Sequence, residues 1–184
     1  MKKDLLPKNR TEPQKTKNAF AGVRSELSAL LMAAALLLLP GVGAAQAETL
    51  EGRPYVTDAD TVRISGERIR LEGIDAPETN QRCKDASGKS YRCGLVSTSA
   101  LKTRIGGETI RCEGTQRDRY GRLLGICYLG DIDLNGWLVR NGYALAYRRY
   151  SKRYVPQEIQ AQKDSLGLWA GEFMPPWQWR KNTR

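Results

Sequence analysis

The chain has 184 residues, 40% hydrophobic and 27% charged, with 30 Lys and Arg against 20 Asp and Glu, four Cys, four Trp and no His. The missing imidazole excludes Ser-His-Asp and Cys-His triads, His-ligated zinc and a His general base, so hydrolytic chemistry would have to run on carboxylates and arginines, with or without a hard metal. A formal charge of +10 favours an anionic partner, and the length allows one ordinary domain.

Residues 1–26 are polar and basic, and an apolar run of 13 residues, Leu27 to Leu39, leads through Pro40 and Gly41 to Ala45-Gln46-Ala47. This predicts a secretory signal peptide over 1–47, cleaved after Ala47. The run is shorter than the roughly 20 residues of a spanning helix; the alternatives are an uncleaved anchor or a buried helix. Seven Lys/Arg and three Asp/Glu leave with the segment, so the mature chain keeps 23 against 17. Export to the periplasm or the medium, with no membrane contact after cleavage, makes Cys83, Cys93, Cys112 and Cys127 disulfide candidates. Four cysteines allow three pairings and the sequence does not choose among them. Local proximity favours Cys83 with Cys93 across a polar loop, and Cys112 with Cys127 between adjacent strands. A zinc site lacks both a CxxC pair and a His.

In chain order, Thr49–Thr57, Thr61–Ile64 and Ile69–Ile74 are rich in Val, Ile, Thr and Leu and read as a meander of strands. Ser65-Gly66-Glu67-Arg68 supplies the hairpin turn between the second and third. Asp75–Gly94 is a long polar loop, and Leu95–Ile105 has helical spacing through Leu95, Thr98, Leu101 and Ile105, stopped by Gly106-Gly107. Thr109–Cys112 and Leu123–Leu129 are two further strands. Helices are expected over Ile132–Asn141, capped by Gly142, and over Pro156–Leu168, begun by proline. The class is α+β, mainly β, with a small five-stranded barrel such as an OB-fold and about three helices. The domain is placed at 48–171, followed by a Trp- and Pro-rich basic tail over 172–184 that lies back on it.

The densest polar chemistry is at Asp58, Asp60, Thr61, Arg70, Asp75 and Glu78. The hairpin brings Asp60 to the same end as Asp75, with Arg70 further along the third strand. Two such carboxylates repel unless a cation or several donors lie between them, and oxygen ligands without His or thiolate suit Ca²⁺ or Mg²⁺. The alternative is that these acids cap turns, as Asp58 is expected to do.

Asp58-Ala59-Asp60-Thr61, then Ile69-Arg70-Leu71-Glu72-Gly73-Ile74-Asp75-Ala76-Pro77-Glu78, then Asp118-Arg119-Tyr120-Gly121-Arg122 resemble the thermonuclease (staphylococcal nuclease-like) family in order and spacing. The resemblance covers Thr49 to Trp169. It implies an OB-type barrel with Ca²⁺-dependent hydrolysis of DNA and RNA that leaves 3′-phosphate ends. It further implies that Asp60, Asp75 and the main-chain oxygen of Ala76 bind Ca²⁺, that Glu78 activates or orients water, and that Arg70 and Arg122 bind phosphate. Tyr120 and Tyr147 would line the nucleotide site. Ala59 and Ala76 depart from a Gly and a Thr of the family pattern.

Tyr143, Tyr147, Tyr150 and Tyr154 interleave with Arg140, Arg148, Arg149, Lys152 and Arg153, a pattern suited to single-stranded nucleic acid or, alternatively, a solvated basic loop with its tyrosines packed inward. The expected protein is an exported monomeric endonuclease that prefers single strands. The rival readings are a non-catalytic nucleic-acid-binding OB module and a protein associated with exopolysaccharide (succinoglycan) biosynthesis.

Overall fold

The structure, a computed structural model, describes residues 46–183, so nearly all of the expected signal segment lies outside the described residues. The described chain is α+β and mostly strands. The large sheet contains β1 (Glu48–Gly52), β2 (Tyr55–Asp58), β3 (Thr61–Ile64), β4 (Glu67–Leu71), β8 (Ile110–Arg117), β9 (Leu123–Leu129) and β10 (Ile132–Asp133). Two small sheets are formed by β5 (Ile74–Asp75) with β11 (Leu145–Ala146), and by β6 (Cys83–Lys84) with β7 (Ser90–Tyr91). Four helices accompany them among the described residues: α1 (Cys93–Ile105), α2 (Leu134–Arg140), α3 (Val155–Lys163) and α4 (Pro176–Asn182), with a 3₁₀ turn over Gly167–Ala170.

The main sheet runs β1-β8-β9-β4-β3-β2 with β10 added on β9, an OB-like order that stays an open path without closing into a ring. Its β4–β9 pair is parallel and the others antiparallel. The stretch read as one strand over 49–57 is two, because Pro54 has no N–H for a ladder; β1 pairs with β8 and β2 with β3. Ser65 and Gly66 both have positive φ, 50° and 88°, which gives the tight turn whose twist suits a two-residue hairpin. Strand β4 stops at Leu71, and Ile74 and Asp75 pair instead with β11. The loop over 75–94 contains the β6–β7 hairpin, and β8 runs five residues beyond the expected end at Cys112.

Helix α1 starts at Cys93 and buries Gly94, Ser97, Thr98, Leu101 and Ile105, leaving Leu95 exposed against expectation. The small side chains set that face, since they let the helix approach the loop before it. The expected helix over 132–141 gives its first two residues to β10, and α2 is capped by Asp133, which accepts from the Gly136 N–H at 2.9 Å. The last expected helix ends at Lys163, and the 3₁₀ turn over Gly167–Ala170 overlaps only its final two residues.

One core unites the sheet with α1, α2 and α3 through Val62, Ile69, Leu71, Leu101, Leu123, Leu138 and Tyr154. Cys112 and Cys127 are disulfide-bonded within it, while Cys83–Cys93 forms a second cluster with Leu168 and Phe173. The tail lies back on that second cluster. Lys84 and Glu172 exchange backbone hydrogen bonds at 2.8 and 3.0 Å.

Candidate active site

Strand register decides which charged side chains meet. Thr61 stands opposite Arg70 in the β3–β4 ladder, so the guanidinium reaches the hairpin end where Asp60 sits. This corrects the sequence expectation that Arg70 lies further along. Its Nη1 is 3.1 Å from Asp60 Oδ2, and its Nη2 donates to Asp75 Oδ1 at 2.9 Å. Asp60 also accepts from the Thr61 hydroxyl at 2.9 Å and the Ala76 N–H at 3.4 Å.

Asp75, held by the β5–β11 pair, is 0% exposed. A buried carboxylate of this kind requires cations or several donors. Arg180 supplies the rest: its Nη1 and Nη2 donate to Oδ1 and Oδ2 of Asp75 at 3.1 and 2.7 Å, and Nη1 also donates to Glu78 Oε1 at 2.8 Å. Arg180 is on α4, in the tail that sequence reasoning kept away from the chemistry. With a sequence separation of 102 from Glu78, no local spacing could have announced the contact.

The ion pairs favour the charged form of each partner and burial opposes it, but the balance differs among them. Burial pushes the Asp75 carboxyl above its ordinary value despite the Arg180 hydrogen bonds and the two guanidinium charges. Burial opposes the charge on Arg70 too, but the attraction of Asp60 and Asp75 outweighs it and raises Arg70. Arg180 is raised in the same way, its hydrogen bonds to Asp75 and Glu78 overcoming burial. Desolvation prevails at Asp75 because that carboxyl alone has no exposed surface.

Glu78 is positioned by its loop. Gln81, wholly buried, donates its N–H to the Glu78 carbonyl at 2.7 Å, accepts from the Glu78 N–H at 3.3 Å and donates Nε2 to the Met174 carbonyl at 2.7 Å. Thr79 donates its hydroxyl to Asp58 at 2.6 Å, so Asp58 braces this loop across 21 residues. The start of α1 presses on the same loop: a Cβ on Gly94 would lie 1.7 Å from the Glu78 carbonyl oxygen. The Cys83–Cys93 bond closes it behind.

Arg122 comes from the β8–β9 connection. Asp118 accepts from the N–H groups of Tyr120 and Arg122 at 2.9 and 3.0 Å and from Arg122 Nε at 2.8 Å, fixing both turn and guanidinium. Tyr120 is exposed, with Arg119 and Arg122 stacked over its ring at 4.7 and 5.6 Å. Asp60, Arg70, Glu78, Tyr120, Arg122 and Tyr147 line one open cleft of about 800 Å³. Asp75 and Ala76 are buried and do not line it. The four interleaved tyrosines separate: Tyr154 is buried and donates to Asp133, and Tyr143 packs on Trp137, while Tyr147 and Tyr150 reach the cleft. Tyr147 stacks on Trp177 of α4, centroids 5.4 Å apart and planes at 10°.

The donor atoms are hard oxygens, the type that Ca²⁺ or Mg²⁺ takes. Asp60 and Asp75 already share one cationic group, bound through different guanidinium nitrogens, so the donor chemistry suits a cation between them. Among the described residues no three His, Cys, Asp or Glu gather as a ready ligand group, so other oxygens must complete a shell.

Residues 68–171 match the family described as Staphylococcal nuclease homologue; Asp60 and Arg180 lie outside that span. The chain is 40% identical over 142 residues to the succinoglycan biosynthesis protein ExoI of Rhizobium meliloti (strain 1021), covering 76% of this chain and 73% of that one. It is 38% identical over 133 residues to an uncharacterized endonuclease of Escherichia coli, covering 68% and 80%. With a micrococcal nuclease of Shigella flexneri it shares 31% identity over 180 residues, covering 88% and 98%.

Proposed function

The chain belongs to the staphylococcal nuclease family, and on that premise we propose that it is an exported, Ca²⁺-dependent endonuclease hydrolysing phosphodiester bonds of DNA and RNA with low sequence selectivity. The observation that carries the reading is the gathering of Asp60, Asp75 and Glu78 around arginines, with Arg122 in the same cleft. A binding module has no use for the Glu78 carboxylate.

Asp60, Asp75 and the main-chain oxygen of Ala76 hold the ion in this reading. Bound there, Ca²⁺ would supply positive charge near the phosphate and polarise water. Arg70 and Arg122 orient the phosphodiester and meet the charge that grows on its oxygens as a fifth ligand forms. Glu78 accepts the proton of the attacking water, the role a His takes elsewhere. Tyr120 and Tyr147 offer faces to the bases, and a cleft edged by aromatic rings and guanidinium groups favours accessible single strands.

Two disulfides support export, as does a signal segment cleaved after Ala47, and no helix among the described residues is long and apolar enough to cross a membrane. The functional unit is placed at 48–171, acting as a monomer, with 172–184 appended. The ExoI relative favours a second reading, association with succinoglycan biosynthesis. Arg70 between Asp60 and Asp75 argues against direct glycoside hydrolysis, which needs two carboxylates flanking a sugar.

The mature protein is incubated with single-stranded DNA in Ca²⁺ or in chelator. Cleavage in Ca²⁺ alone is expected. Cleavage indifferent to chelator overturns the metal role, and binding without cleavage by folded protein replaces the enzyme with the binding module.

A further inference from the structure

Resting on the nuclease reading, we propose that Arg180 competes with a divalent ion for the Asp75 oxygens, so that docking of the C-terminal helix α4 and binding of the ion exclude one another. The guanidinium takes both oxygens of Asp75 and one of Glu78, at 2.7 to 3.1 Å. Asp75 has no exposed surface, and Arg70 already shares its Oδ1. An ion ligated by Asp75 needs an oxygen that Arg180 holds, and its charge repels the guanidinium at that distance.

The placement of Arg180 is a property of the whole segment. Gln81 is tied to the Met174 carbonyl at 2.7 Å, the Lys84 and Glu172 backbones exchange hydrogen bonds, and Trp177 stacks on Tyr147 at 5.4 Å. One helix therefore covers two things a nucleotide substrate needs, the carboxylates and the face of Tyr147. In the ion-free protein Arg180 keeps Asp75 and Glu78 from repelling one another. Displaced by an ion, it withdraws together with Trp177. The tail is thus an autoinhibitory cap whose release is linked to the ion.

The test titrates Ca²⁺ calorimetrically into the full mature protein without substrate, while near-ultraviolet circular dichroism follows the stacked Tyr147–Trp177 pair. Arg180→Gln is expected to tighten Ca²⁺ binding about tenfold, within the usual range of coupling between mutually exclusive events. Lys181→Gln, which removes the same charge from the same helix, changes it less than about threefold because an exposed charge is screened. Trp177→Ala loosens the helix by way of Tyr147 and also tightens binding, so the proposal does not depend on Arg180→Gln folding. In the wild type, Ca²⁺ abolishes the dichroism of the stacked pair and chelator restores it.

Unchanged or weaker Ca²⁺ binding in both Arg180→Gln and Trp177→Ala overturns the cap, as does an equal gain in Lys181→Gln or dichroism indifferent to saturating Ca²⁺. Ca²⁺-dependent cleavage persisting alongside any of these leaves the nuclease reading intact. Folded wild type and variants that all fail to bind Ca²⁺ remove the metal reading, and the cap with it.

Discussion

Asp118 shows how one carboxylate can hold a functional turn. It accepts two backbone N–H groups and the Arg122 guanidinium, and these outweigh a burial effect of opposite sign, so its carboxyl lies below the ordinary value. A depressed carboxyl contributes stability above its unfolded pKa of about 3.9, and that stability is lost as pH falls through the folded value. Asp118→Asn should therefore lose about 1–2 kcal/mol at pH 7. The deficit should narrow below about pH 4, as read by urea unfolding at both pH values. Glu78 is tested by separating turnover from binding. Glu78→Ser should slow cleavage about a hundredfold or more while nucleotide affinity changes little; equal loss of both would make Glu78 structural.

Among the elements, α2 carries the most consequential buried polar group. Asn135, 0% exposed, donates to the Glu72 and Gly125 carbonyls at 3.0 and 3.1 Å and accepts the Cys127 N–H at 3.1 Å, joining the helix to β9 and to the end of β4. Asn135→Ala leaves the buried Cys127 N–H without its side-chain acceptor and removes a donor from the Glu72 and Gly125 carbonyls, and should lower stability by about 1–3 kcal/mol, measured by denaturant unfolding. Asp133 serves α2 twice, capping its first turn and accepting the Tyr154 hydroxyl at 2.9 Å; this burial and the charge of Asp133 raise the Tyr154 phenol. In the β8–β9 pair, the Cys112–Cys127 bond spans 15 residues. A loop of that length is worth roughly 3 kcal/mol by chain entropy, so reduction should lower the unfolding midpoint without moving the cleft residues.

At the scale of the molecule, the two disulfides divide their work: one lies in the core, and the other ties Cys83, just past Glu78, to the start of α1 that presses on the Glu78 carbonyl. A Cys83→Ala/Cys93→Ala double variant should therefore lose proportionally more cleavage activity than stability, with activity and urea midpoint measured on one preparation. Much of this architecture was legible beforehand. The Ser65-Gly66 turn, the Gly106 stop, strands 61–64 and 123–129 and the proximity of Asp60 to Asp75 follow from turn chemistry and period, which act over a few residues. The absence of His confined the chemistry to carboxylates and guanidinium groups before any coordinate. Other features were not legible. Pro54 divides a run that hydrophobicity alone joins, and the tyrosines after Gly142 look alike until packing buries Tyr154 and leaves Tyr150 at the cleft. Asn135 and Arg180, and the bond from Gln81 to Met174, carry no local signal, because their partners are brought near by the closing of the fold. Local sequence determined which groups exist and how short segments turn; only the tertiary structure decided that a guanidinium from the last helix rests on Asp75 and Glu78, since a buried charge takes its partner from whatever part of the chain the packing delivers.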